Sequence, residues 1–296
     1  MDNLKQMHDL ARERFKLDPS KCYQRHIREL YADVDNRETI KSLDGATVER
    51  ITNAEAAGVI LKYEWLQRMG SGTKACYGLK LDGKLLGAAC FGNGTYSEAR
   101  MICIPHWKKG LSRAEERSLI ATEKQARVYI DKTVSLMRGA CVPWAPKNSA
   151  SFLIRKACKQ AYKDFGWQCF FAYSDEAAGE IGTVYQASNW HYLGQNLGRK
   201  KPGHSDYRKG HNTINTYALS GKGGDKLLRS LGWTPEQGKK RTWLRNSGYT
   251  CVRTNHSDKH KWVWFEGSDR ARKRLRAICR YDFKEYPKRP KAYAIE

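Results

Sequence analysis

Nine cysteines, at positions 22, 76, 90, 103, 141, 158, 169, 251 and 279, form no CxxC pair anywhere in the chain. That spacing excludes the usual paired-thiolate zinc motifs, and an odd count does not suit a closed disulfide framework. Several cysteines sit in apolar runs such as LLGAACFG and WQCFFAY, the pattern of buried, reduced thiols in a cytoplasmic protein. No apolar stretch approaches the ~20 residues that span a bilayer. Met1 to Asp18 is charged throughout, unlike a secretory leader. No membrane partner is expected. The Walker spacing G-x-x-x-x-G-K-[ST] is missing, and so are internal repeats and low-complexity tracts.

Acidic residues are scarce. Against 54 Lys+Arg stand 31 Asp+Glu, for a net charge of +23. A field of that size favours a phosphate backbone as partner. The charge is uneven: from Arg199 to Glu296 the balance is +16, leaving +7 for the first two thirds. This asymmetry suggests that the C-terminal part grips a polyanion while the middle does chemistry. At 296 residues and 40% hydrophobic, the chain can bury a real core.

Residues 1–45 read as a helical arm. Ile27, Leu30, Tyr31 and Val34 recur at helical spacing, for docking on the main body or for contacting DNA. ATVERI then alternates as a strand, and Thr52 or Asn53 caps a helix ending at Gly70. Asp82-Gly83 joins two apolar runs as a hairpin. Residues 93–132 mix strand and helix character, with Ser112 as an N-cap. TVSLMRGACV is a strand stopped by Pro143 and Pro146. Asn148 or Ser149 caps the next helix, whose buried face is Ile154, Ala157, Cys158, Ala161, Tyr162 and Phe165. WQCFFAY reads as a central strand covered on both faces. Thr183–Ser188 is a short helix, and WHYLGQNLGR and NTINTYAL are late strands. GKGGDK is a break, so the domains are 46–220, catalytic, and 221–296, basic and DNA-binding. Within the latter, KLLRSLGW, a helix opening at Thr234-Pro235-Glu236-Gln237 and running to Gly248, and a YTCVRT/HKWVWFEG hairpin resemble a winged helix.

Chemistry-bearing side chains gather between Arg138 and Trp190. Arg138, with Lys147, Asn148, Ser149 and Ser151 at a strand-to-helix junction, offers cations, hydroxyls and backbone N–H groups to a phosphate or pantetheine group. Ser149 fits a plain N-cap equally well. Asp175 ends the central strand as a candidate proton acceptor, with loop capping as its structural alternative. Tyr185, ten residues on, is a candidate acid for a leaving thiolate, or a core residue. Tyr63, after Lys62 at the end of the first helix, is a weaker candidate on the substrate side, and Cys141 is a minor one. For DNA, the basic loop residues Arg199, Lys200 and Lys201 join Lys239, Lys240, Arg241, Arg245, Lys261, Arg272 and Lys273, interleaved with tryptophans.

The order β-α-β-hairpin, then β-α-β-α-β, resembles the GNAT acyltransferase fold, a mixed α+β architecture with a central sheet flanked by helices. Within it, RGACVPWAPKNSASFLIRKACKQ, FFAYSDEAAGEIGTVYQASNW and EYPKRP are similar to the phage Mom proteins. The resemblance implies a transferase that places a methylcarbamoyl-type group on the exocyclic N6 of adenine in double-stranded DNA and so blocks restriction. By motif it assigns Arg138 to acyl-CoA binding, Ser151 or Ser149 to the helix opening, and Asp175, Tyr185 and Tyr63 to the reacting site. The donor it implies is acetyl-CoA or a related acyl compound, and a homodimer is compatible with it. The chain departs from the family twice: Lys62-Tyr63 stands where a His-Tyr pair is usual, and the Q/R-x-x-G-x-G/A loop of ordinary GNAT enzymes is missing. Two rival readings are an ordinary GNAT acetyltransferase or aminoacyl transferase acting on RNA, protein or a small amine, and a non-enzymatic DNA-binding regulator.

Overall fold

A computed structural model describes residues 2–35, 40–70, 72–93, 112, 114–115, 118, 131–196, 204–209, 212–215, 219, 221–254, 258–279 and 281–288. The chain forms two units, residues 1–196 with 259–296, and residues 197–258. The expected division at 220/221 is therefore corrected: GKGGDK is not a break but the first turn of a helix, Gly221–Ser230.

The first unit is built on a seven-stranded sheet in the order β1-β2-β3-β4-β5-β10-β6. β1 (Thr47–Ile51) leads into helix α3 (Asn53–Tyr63) through a capping box. The Thr52 side chain accepts the Glu55 N–H, and the Glu55 carboxylate accepts the Thr52 N–H at 2.8 Å. β2 (Thr73–Leu81) and β3 (Lys84–Asn93) turn at Asp82-Gly83, both at positive φ, as a tight two-residue hairpin requires. β4 (Thr133–Cys141) runs antiparallel to β3. After the proline-bearing turn comes α4 (Ser149–Phe165), which buries Leu153, Ile154, Ala157, Cys158 and Ala161. Phe165 departs from expectation. It is 39% exposed, stacks on Trp167 at 4.4 Å and carries the Arg50 guanidinium 5.0 Å above its ring.

β5 (Cys169–Asp175) is the central strand expected of WQCFFAY, with Cys169 to Ala172 fully buried. A short 3-10 turn (Glu176–Ala178), α5 (Thr183–Ala187) and β6 (His191–Asn196) follow. β10 (Lys259–Phe265) lies between β5 and β6 rather than in a hairpin with the strand before it. The reason is two-sided burial. Trp262 packs with Tyr185 and Tyr192 on one face, and Val263 and Phe265 pack with Phe171 and Leu275 on the other. A strand apolar on both faces belongs in a sheet covered on both sides.

Two helices, α1 (Asp2–Leu17) and α2 (Tyr23–Asp35), form the N-terminal arm. Met7, Ala11, Tyr23, Ile27 and Leu30 pack together with Ala178 of the 3-10 turn. His8 binds the Tyr23 hydroxyl through Nδ1 at 2.5 Å and the Lys62 carbonyl through Nε2 at 2.7 Å. The arm thus docks on the main body. The last helix of this unit, α8 (Asp269–Ile278), buries only Leu275.

The second unit has its own sheet, β8-β7-β9, from β7 (His204–Lys209), β8 (Asn212–Asn215) and β9 (Thr250–Thr254). Tyr207, Ile214, Leu219, Leu228, Trp233, Leu244 and Tyr249 form its core with helices α6 (Gly221–Ser230) and α7 (Lys240–Asn246). The Thr234 box is present, with the Thr234 N–H donating to Gln237 Oε1 at 2.8 Å, but it opens only a 3-10 turn that Gly238 ends. The winged-helix arrangement does not form, because the two strands of its ribbon, β9 and β10, belong to different sheets. Most of residues 93–132 lies outside the described residues. Ser112 there exchanges capping bonds with Glu115. Among the described residues no helix is long and apolar enough to cross a membrane.

Candidate active site

β4 and β5 are the parallel neighbours in the sheet, and they part early. Their ladder holds Thr133↔Cys169, Val134↔Phe170 and Ser135↔Phe171, and no pair beyond. Each strand stays fastened on its other side, β4 to β3 as far as Cys141 and β5 to β10 as far as Asp175. Where they diverge lies a cavity of about 380 Å³, within the usual range for a small-molecule site. Leu136 and Gly139–Val142 from β4 and its exit, the first turn of α4, Ser174, the segment 180–185 and part of α2 line it.

Tyr185, a candidate acid on the sequence, is in that lining. Its ring lies 5.2 Å from Trp190 and 5.6 Å from Trp262. It is 8% exposed, and its hydroxyl makes no hydrogen bond among the described residues. Burial, and then the Glu180 carboxylate, push the phenol pKa far up, so the proton is retained. Gly182 sets the ring's position: at φ +77 it starts α5, and a Cβ there would meet Trp262 Cζ2 at 2.3 Å. Trp262 is itself held, donating from Nε1 to Ser174 Oγ at 3.1 Å.

Asp175 is near this site but not in the cavity wall. Its Oδ1 accepts the Ala177 N–H at 3.0 Å and its Oδ2 lies 3.4 Å from Lys259 Nζ. The carboxylate caps the turn that leads to Glu180, and Glu180 is the acidic side chain that lines the cavity. Sequence reasoning passed over Glu180. Its signal was the spacing to Tyr185 across Gly182, which folds both onto one wall.

Arg138 also points elsewhere. Its Nε donates to the Arg68 carbonyl at 2.9 Å, and it faces Glu64, whose pKa burial raises and Arg138 opposes. A register shift opposite Cys90 and Phe91 adds a residue to β4 there, so strand alternation misplaces the arginine. Its neighbour Gly139 lines the cavity instead. Lys147 is exposed and outside the lining, whereas Asn148, Ser149 and Ser151 are in it. Neither Asn148 nor Ser149 caps α4 through its side chain. Asn148 is left-handed at φ 66 without a cap bond, and Ser149 Oγ donates to the Pro146 carbonyl at 2.8 Å. Ser151 Oγ donates to the Asn148 carbonyl at 2.9 Å.

Tyr63 is buried in an aromatic group with Tyr31 and Trp144, at 5.3 and 5.9 Å, outside the cavity lining. Cys141 lines the cavity, but burial pushes its thiol up to about 12, which leaves little thiolate at neutral pH.

Of the basic candidates, Arg199, Lys200 and Lys201 lie outside the described residues. Lys239, Arg241, Arg245 and Lys273 are exposed. Lys240 is engaged within its unit, donating to the Leu219 carbonyl at 2.9 Å and pairing with Asp225. Lys261 lies over Tyr173 and Tyr281 at 5.4 and 4.8 Å, and Arg272 pairs with Asp269.

The fold and cavity define a class: an α+β chain whose mostly antiparallel sheet opens between two parallel strands over a phenol-bearing site. The chain belongs to the Mom protein family, whose model matches residues 45–288. No curated protein matches it by sequence. Among solved structures it is similar to an N-acetyltransferase from Staphylococcus aureus, at 11% identity and TM-score 0.36, over 74% of this chain and 98% of that one. It is also similar to a GNAT family acetyltransferase from Elizabethkingia anophelis with acetyl-CoA bound, at 8% identity and TM-score 0.36, over 75% and 99%. A Bacillus subtilis acetyltransferase in complex with CoA matches at 11% identity and TM-score 0.34, over 75% and 98%. At these scores the likeness is loose.

Proposed function

We propose that this Mom-family chain is a DNA-modifying transferase that carries a group from an acyl-CoA-type donor to the exocyclic N6 of adenine. The observation that carries the reading is the Tyr185 hydroxyl, without a hydrogen-bond partner among the described residues, in the cavity where β4 and β5 part. The residues there suit such a donor: an apolar wall from Leu136, Ala140 and Val142 for its pantetheine arm, and an uncapped helix start at Asn148–Ser151 for an anionic group. The donor would supply an activated carbon and a thiolate leaving group. Tyr185 holds a proton at its hydroxyl for whichever group departs. Glu180, on the same wall, is placed to accept a proton from an incoming amine. Asp175 acts as a positioning residue, through the turn that it caps. The apolar wall keeps bulk water from competing.

DNA binding in this reading falls to two basic surfaces. The second unit has a net charge of +9, and α8 carries five cationic residues against one acidic. Adenine N6 is shielded within the stack, so the base has to be flipped out to react. The test is direct. The full chain is expressed in a bacterium, plasmid DNA is digested to nucleosides, and a heavier deoxyadenosine is sought by mass spectrometry. Its absence with well-expressed, folded protein rejects the DNA-adenine reading.

A further inference from the structure

One wall of the cavity comes from a segment that the family match leaves out. Cys22, Gln24, Ile27 and Arg28 of the arm line it, while the match begins at residue 45. Arg28 is the cation of that lining. Its Nη2 donates to the Ala145 carbonyl at 2.7 Å, and no carboxylate pairs with it among the described residues. Its neighbours by charge are Arg25, which opposes its protonated form, and the Cys141 thiol. A partly buried guanidinium without a counter-ion is an expensive arrangement unless a ligand supplies the anion.

Further donors converge on the same space. The first bond of α4 runs from the Phe152 N–H to the Asn148 carbonyl at 2.9 Å, so the N–H groups of Ala150 and Ser151 precede the helical ladder. No side chain caps this end and no acidic residue occupies its first turn, although the helix is 17 residues long. Tyr185, more than nine-tenths buried and with its hydroxyl unpartnered among the described residues, lines the same cavity. A guanidinium, a helix N-terminus and a phenol thus confront one carboxylate, Glu180.

We infer that Arg28, together with the first turn of α4, binds a phosphate or pyrophosphate anion in this cavity, which makes the N-terminal arm part of the ligand site. Only the source of the phosphate rests on the proposed function: the donor's diphosphate or a DNA backbone phosphate. The arm's arginine adds a side-chain cation to the backbone N–H groups of the α4 start, in a chain without a glycine-rich pyrophosphate loop.

The full chain and its Arg28→Gln and Arg28→Lys variants are titrated with coenzyme A, inorganic pyrophosphate and a short duplex DNA at fixed ionic strength. For wild type, pyrophosphate is expected to raise the melting temperature above that in sodium chloride of equal ionic strength. Arg28→Gln should weaken one phosphate ligand by about tenfold or more, the scale of a lost charge-assisted hydrogen bond, and Arg28→Lys should restore part of it. Loss of coenzyme A affinity identifies the donor's phosphates, and loss of duplex affinity identifies the DNA backbone. If coenzyme A and duplex affinities both stay unchanged in Arg28→Gln, the inference is overturned. If that variant does not fold, absence of any pyrophosphate effect on wild type overturns it equally. Modified deoxyadenosine together with unchanged affinities in Arg28→Gln sinks this inference and leaves the proposed function standing. A chain that modifies no DNA but loses its pyrophosphate stabilisation on Arg28→Gln does the reverse.

Discussion

Tyr185 sets the terms at the scale of single residues. Its raised pKa is a statement about which protonation state the fold stabilises: the neutral phenol is favoured by burial and by the nearby Glu180 charge. The phenol therefore keeps its proton well into the alkaline range, and if it is the acid of the proposed reaction, no loss of rate below about pH 10 should trace to it. Tyr185→Phe removes only the hydroxyl, which bonds to nothing in the described protein. The expected outcome is an unchanged melting temperature and donor KM with kcat lower by about 10²-fold or more, read by single-turnover kinetics. Cys141 makes the opposite case. Its folded-state pKa is raised from the ordinary 9.0 to about 12 by burial. The stability tied to its neutral thiol is complete below pH 9.0 and is lost as the pH climbs toward 12. Alkylation followed by peptide mass mapping should leave Cys141 largely unmodified at neutral pH although it is half-buried like Cys22 and Cys251, because its thiol stays protonated. Rapid labelling of Cys141 at pH 7 would contradict its assignment as an inert wall residue.

At the scale of elements, the turn between β5 and α5 links Asp175 to the cavity. If Asp175 acts by capping, Asp175→Asn keeps the acceptor for the Ala177 N–H and retains most activity. Asp175→Ala should lose about 1 kcal/mol of stability along with activity, measured by urea denaturation and turnover. A proton-accepting role would instead make Asn as damaging as Ala. Local signals made several elements legible in the sequence: Asp82-Gly83 between apolar runs, the Thr52–Glu55 box, and the unbroken WQCFFAY. Each depends on residues within one turn or one strand, so neighbours in sequence suffice to decide it. β10 was not legible in the same way. KHKWVWF reads as a strand, but whether it pairs with β9 or enters between β5 and β6 depends on chain that is distant in sequence. The site divides along the same line. The S-D…G-T-x-Y spacing pointed to a turn that lines the cavity, whereas the inserted residue in β4 that turns Arg138 away and the arm that brings in Arg28 are tertiary facts.

At the scale of the whole molecule, residues 197–258 form a unit of their own between two strands of the first unit's sheet. Asn196 and Lys259 are register partners on β6 and β10. Replacing 197–258 with a two-residue Asn-Gly turn should therefore close β6 onto β10 directly. The expected product is a folded first unit that still binds coenzyme A but has weaker duplex affinity and a shallower salt dependence, read by fluorescence anisotropy across a salt series. Unchanged DNA affinity and salt slope would assign DNA binding to the first unit alone, with α8 as its basic helix.

The pairing of Asn196 with Lys259 has a topological meaning as well. Both chain connections of residues 197–258 join the first unit at one end of the β6–β10 ladder. That ladder contains Trp262, the residue against which Gly182 and Tyr185 rest. The strand at which residues 197–258 rejoin the first unit thus carries the ring against which Tyr185 packs.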